Sequence, residues 1–270
     1  MIKKLLLTLA LAHVATGCAL FMGPGHDQTS KVAVTQSALR YLYPDDQLSG
    51  LSKAEVTRMT LPLRVGVGFI PGTNQDHVGA LAREQALQPL LETVQAQQFV
   101  ERAVALPYGA LTPSGGFRQL DKIAFLHRLD AVLWVSYEQV AYTEDSPLSV
   151  LDLTLVGAFV VPGHHNDVQT RLTATAVHIP SRRYLFSADS SHQSEHTATL
   201  VHAPTQIRNA QEQGLLVASQ SLEPALHDAL HDFKSGLAED ASFDVKGGSL
   251  SLPMLLTLLL LAGLAWRRGA

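Results

Sequence analysis

The chain has 270 residues, 46% of them hydrophobic, with 20 basic residues, 24 acidic residues and a single cysteine. That length holds one ordinary domain plus processing segments, or at most two small domains. One cysteine excludes a disulfide framework within the chain, and an acidic middle without a Lys/Arg cluster argues against nucleic acid or anionic lipid as the main partner.

The chain opens with MIKKLLLTLALAHVATGCAL. Lys3 and Lys4, the apolar run from Leu5 to Val14 and the small residues Ala15-Thr16-Gly17 have the three parts of a secretory signal. The apolar run is too short to span a bilayer, which takes about 20 residues. The small residues stand directly before Cys18, and this junction resembles a bacterial lipobox, with Ala15 where leucine is commonest. The resemblance implies removal of residues 1–17 by signal peptidase II and acylation of Cys18, leaving the chain attached to membrane lipid. Ala19 after the cysteine implies sorting toward the outer membrane. Residues 18–60 are then a lipidated N-terminus with a tether, GPGHDQTS at 23–30, and a lead-in segment.

Residues 61–70, LPLRVGVGFI, form an apolar and β-branched run stopped by Pro71-Gly72, which predicts a strand and a turn. From His77 to Gln97, Val78, Leu81, Leu87, Leu90, Leu91 and Val94 recur at helical spacing. Phe99 to Leu106 reads as a second strand and Pro107 to Gly116 as a loop. Phe117 to Arg128 reads as a second helix, with Leu120, Ile123, Ala124 and Phe125 on its apolar side. Asp130 to Glu138 follows as a buried strand, and Glu144-Asp145 falls in a turn, TEDSP. The pattern then changes to strands at Ser149–Val161, Val168–Ile179 and Arg183–Ser191, joined by PGHHND and PSR. Ile207 to Phe233 closes the domain as one or two helices.

The expected fold class is therefore α/β: a single periplasmic domain over 61–234, with β-α-β-α-β followed by an antiparallel meander and a C-terminal helix. This order resembles the TolB amino-terminal domain and the curli-secretion lipoproteins. Fold likeness of this kind carries no chemistry.

Residues 235–248 form a polar spacer ending in Gly247-Gly248, followed by an uncharged stretch from Ser249 to Trp266 and then Arg267-Arg268. The length reaches the lower limit for a membrane-spanning helix. The arginines hold that end in the cytoplasm, in agreement with Lys3-Lys4. Gly247-Gly248 and Pro253 weaken the helix at its outer end, where a protease needs extended backbone. This arrangement resembles the GlyGly-CTERM sorting signal over 249–270. Together with the lipobox it resembles the rhombotarget lipoprotein family. The resemblance implies cleavage near Gly247 and Gly248 by rhombosortase, a rhomboid-like protease, and delivery that depends on type II secretion. The tail is then a transient inner-membrane anchor; the alternative is a permanent one.

Catalytic signals are sparse. Gly66 and Gly68 lie inside a predicted strand and not in the turn after it, so they read as small residues under a close neighbour and not as a phosphate loop. His227 and His231 share a helical face, with Asp228 where a zincin has glutamate. His192, Glu195, His196 and His202 fall in a polar stretch, SSHQSEHTATLVHAP, that reads as a solvated loop. His164-His165 read as turn residues. No Gly-x-Ser-x-Gly, Walker or Ser-x-x-Lys pattern occurs. The expectation is a non-enzymatic envelope lipoprotein with no catalytic residue, metal or cofactor, working by binding or assembly at the outer membrane or cell surface. The competing expectation is a surface hydrolase or metal-dependent enzyme built on His227/His231 or on the 192–202 stretch.

Overall fold

The computed structural model describes residues 28–35, 37–43, 57–72, 78–113, 115–240 and 243–246. Cys18, Gly247, Gly248 and the 249–270 tail lie outside these. The described elements are β1 (Gln28–Val34), α1 (Ala38–Leu42), β2 (Thr57–Thr60), β3 (Leu63–Phe69), α2 (Ala80–Gln95), β4 (Val100–Ala105), α3 (Gly116–His127), β5 (Ala131–Asp145), α4 (Leu155–Val160), β6 (His164–His178), β7 (Arg183–Ala198), α5 (Ala203–Glu239) and β8 (Phe243–Lys246). Short 3₁₀ turns lie at Tyr108–Ala110 and Pro147–Leu153. The fold is mixed α/β with a C-terminal helix. Among the described residues no helix is long and apolar enough to cross a membrane.

The main sheet has the order β4-β3-β5-β6-β7, with β1 also paired to β5. β3 runs parallel to both β4 and β5, the arrangement that the alternating strands and helices predict. β6 returns antiparallel along β5. Ser136 bonds to the carbonyl of Thr173 and Thr143 to Asn166, so one strand rises in number as the other falls. The β6–β7 pair closes through the short connection after Ile179.

The described residues form two compact units. The larger holds 33–138, 170–192 and everything from 215 on; the smaller holds 28–32, 139–169 and 193–214. In the larger unit, side chains alternate across β5. Leu133, Val135 and Tyr137 join Val65 and Val67 in a core covered by Leu87, Leu90 and Val94 of α2 and by Leu222, Leu226 and Leu230 of α5. Val132 and Trp134 face the other way, toward Tyr41 of α1 and Leu120 and Ile123 of α3. Buried Ser219 donates to the carbonyl of Ala86, fixing α5 to α2. The glycines of β3 are required by this packing. A Cβ on Gly66 would stand 2.7 Å from Leu129, and one on Gly68 would stand 2.9 Å from Leu106.

Several expectations need correction. Ser149–Val161 is not a strand: it holds a 3₁₀ turn and α4. The polar stretch from His192 is not a loop, since β7 runs through it to Ala198. Phe125 is 83% exposed and sits off the apolar side of α3, and Leu81 of α2 is 67% exposed. Both are positions where the core face of the helix has already turned away. The paired strands β2 and β8 lie beyond the expected 61–234 limits. Their parallel ladder joins Thr57 to Phe243 and Thr60 to Lys246, and Met59 is buried there.

Candidate functional site

The smaller unit has an unusual distribution of polarity. Its apolar cluster holds Ala141, Val168 and Ala210, with Ile207 against it. Buried beside these are polar side chains: Gln139, His164, Asn166 and Gln211. Its large apolar side chains lie on the outside instead. Leu148, Val150, Leu151, Leu153, Val156, Phe159 and Val160 are all exposed, with Leu153 and Val156 each 71% exposed. All seven belong to the segment that connects β5 to β6. Residues 147–163, PLSVLDLTLVGAFVVPG, contain one charged residue, Asp152.

This segment is built, turn by turn, from local bonds. Ser146 caps the 3₁₀ turn by accepting from the amide of Leu148 at 3.3 Å. Thr154 caps α4 by accepting from the amide of Gly157 at 2.9 Å, while its hydroxyl donates to the carbonyl of Leu151 at 2.7 Å. Gly157 is required there, because a Cβ would lie 1.8 Å from that same carbonyl oxygen. A Cβ on Gly163 would stand 2.8 Å from the Cα of Ser149, and the amide of Ser146 donates to the carbonyl of Gly163 at 2.8 Å, closing the base.

His164 holds the insertion at that base. Its Nδ1 lies 2.7 Å from Asp145 Oδ1, and its Nε2 lies 2.8 Å from Asp152 Oδ2. The histidine and Asp152 side chains are each 10% exposed, whereas Asp145 is 42% exposed. Each ring nitrogen thus faces a carboxylate oxygen at hydrogen-bond distance, and contacts of this kind to a carboxylate are charge-assisted. With both nitrogens engaged by carboxylates, neither is free to take a proton from a hydroxyl or to bind a metal. The geometry makes a clasp that ties the end of β5, the middle of the insertion and the start of β6. His164 and Asp145 are therefore not turn residues; they close the two strands. Asp152 is the one acid in an otherwise apolar stretch, and the structure turns it inward, where a buried carboxylate requires a partner.

The other candidate residues do not converge. His192 and His196 share one edge of the β7 pleat, four residues and thus about 13 Å apart, too far to bind one ion. Glu195, on the opposite face, lies 3.9 Å from His165. His196 borders an open polar groove of about 420 Å³ with Gln206, Asn209 and Gln213. On α5, His227 and His231 are exposed, and each lies beside the next residue, Asp228 at 3.6 Å and Asp232 at 3.7 Å. His227 also borders a shallow groove of about 860 Å³ with Glu92, Gln97, Glu223 and Lys234. Among the described residues, no three His, Cys, Asp or Glu side chains are grouped to hold a metal.

In the larger unit the shifted groups serve the fold. Burial would raise the Asp130 carboxyl. The hydrogen bonds and charge of Arg64, at 2.8 and 2.9 Å, with His178 nearby, outweigh it and hold the carboxyl below its usual range. Burial pushes His178 below its ordinary value, with Asp130 opposing. Burial also pushes the Tyr41 hydroxyl up to about 12.

No family model matches the chain, and no curated protein does either. Solved structures that resemble it include the following three. A PelC dodecamer from Paraburkholderia phytofirmans shares 11% identity over 67% of this chain and 94% of its own, with a TM-score of 0.27. A DUF330 protein from Xanthomonas campestris shares 10% over 67% and 98%, with a TM-score of 0.29. A neuraminyllactose-binding hemagglutinin homologue from Helicobacter pylori shares 9% over 68% and 97%, with a TM-score of 0.33.

Proposed function

We propose that the protein is a non-enzymatic lipoprotein of the cell envelope, anchored through Cys18 and working by binding or assembly at the outer membrane or cell surface. The observation that carries this reading is the N-terminal junction: a basic start, a short apolar run, then small residues before the only cysteine of the chain. Several acyl chains at Cys18 bury enough methylene groups, at about 0.8 kcal/mol each, for lasting attachment. On this reading Gly247-Gly248 marks the region where rhombosortase releases the tail, type II secretion serves delivery, and the fold resembles that of the TolB amino-terminal domain and the curli-secretion lipoproteins.

The smaller unit supports binding over catalysis. Buried His164 has both nitrogens committed to carboxylates, and the segment between β5 and β6 presents exposed apolar side chains suited to a binding surface. Metabolic labelling with an alkyne-bearing fatty acid tests the anchoring. The wild-type chain takes up label and Cys18→Ser takes up none. Equal labelling of both refutes the assignment of Cys18.

A further inference from the structure

We infer that the segment Pro147–Val160 is a membrane-contact element, seating its exposed leucine, valine and phenylalanine side chains in the interfacial layer of the leaflet that holds the acylated Cys18. This rests on the proposed lipidation for its location and on the structure for its surface.

Three observations point to lipid as the occupant. The first is chemistry. The seven exposed side chains are six aliphatics and one phenylalanine. Protein-binding hot spots favour Trp, Tyr and Arg, and none of these occurs within 147–163. An interfacial element enters by buried apolar area, which leucine and phenylalanine supply. The second is charge. Asp152 is the only charged group in the segment, and it is turned inward onto His164 in the clasp, so the exposed apolar tip carries no charge. The segment has no basic residue, so it does not depend on anionic headgroups.

The third observation is placement. β3 occupies one edge of β5 over Ala131–Val135, and β6 occupies the other edge. Thr35, just after β1, bonds to Tyr137. The stretch of β5 open to β1 is therefore the one after Tyr137. β1 runs back along it, which brings Gln28 to the Asp145 end, where the insertion begins. Residues 28–32 and 139–169 indeed fall in one compact unit. Ten Cα–Cα steps lead from Cys18 to Gln28, so Gln28 lies within about 35 Å of the acylated cysteine even if the chain between them is fully extended. The acyl chains supply the affinity. The insertion, tied down by its caps and by His164, adds a second point of contact beside them.

The test uses the full chain carrying Val156→Cys, an exposed position, labelled with the environment-sensitive fluorophore NBD. The protein is reconstituted in phosphatidylcholine–phosphatidylethanolamine vesicles with or without brominated acyl chains. Acylation blocks Cys18, so one dye attaches, and intact mass on the same sample reads the lipid. The local dye reports the insertion, whatever the anchors do. The expected result is emission lowered by about half in brominated vesicles, together with several-fold protection from aqueous iodide. A lipidated protein whose dye ignores bromine and remains open to iodide overturns the membrane contact and leaves the lipoprotein reading intact. A dye shielded from both quenchers, with copies that cross-link through position 156, also overturns it and makes the segment a contact between copies of this chain. A mass without lipid refutes the lipidation; bromine quenching in the Cys18→Ser background then still supports the membrane contact.

Discussion

The clasp makes a quantitative demand. Substituting His164→Ala removes two charge-assisted bonds, of 2.7 and 2.8 Å. Asp145 is 42% exposed and recovers much of its loss from water, so its bond contributes little. Asp152 is 10% exposed, and its second oxygen is buried without a partner among the described residues. Leaving it unpaired carries the penalty of a broken buried pair, about 3–5 kcal/mol. We take about 3 kcal/mol, at the low end, because the segment lies at the surface and can open. The effect is local, so hydrogen exchange of the full chain in mild detergent is the assay. The amides of Ser149, Thr154, Ala158 and Val161 bond within the insertion, and each should exchange on the order of 100-fold faster. Amides of β3 should not change. Replacing both partners, His164→Leu with Asp152→Leu, removes the buried charge and should restore most of the protection. If His164→Ala changes exchange less than about twofold, the clasp does not hold the insertion and the reasoning fails.

Other consequences concern the larger unit. Gly68→Val places a side chain into Leu106 and should cost about 1–3 kcal/mol in urea denaturation, whereas Gly109→Ala, with nothing within 4 Å, should be close to neutral. Leu222→Ala empties a fully buried site on α5 and should cost about 2–5 kcal/mol, against less than about 0.5 kcal/mol for exposed Leu81→Ala. His178 has a folded pKa below its ordinary 6.5, so the unfolded chain takes up a proton first and stability falls as pH drops below 6.5. The Asp130 carboxyl, held below 3.8, adds a further loss as pH falls through that value. His178→Gln should remove the first limb and keep the second in a denaturation series across pH.

The sequence made the parallel half of the sheet legible. β3, α2, β4, α3 and β5 each carry a clear apolar period, and Pro71-Gly72 punctuates them. The insertion carries the pattern of a strand for a definite reason. Leu151, Leu153 and Leu155 alternate with Asp152 and Thr154, the two-residue rhythm of a strand. Three local features override it. Ser146 and Thr154 cap helical turns, Gly157 admits the carbonyl of Leu151, and His164 draws Asp152 inward. The far end of β7 was hidden the other way, because both faces there are polar and no apolar alternation marks the strand. The role of His164 is not legible locally, because its partners lie 12 and 19 residues away, beyond any local motif.

The central claim is an envelope lipoprotein processed at both ends, and the most direct test is the intact mass of the mature protein extracted from its native envelope. The account predicts loss of residues 1–17, loss of the apolar tail beyond the Gly247-Gly248 region, and an added diacylglycerol and acyl mass on Cys18. A mature protein that retains Ser249 to Ala270, or whose Cys18 carries no lipid, contradicts it.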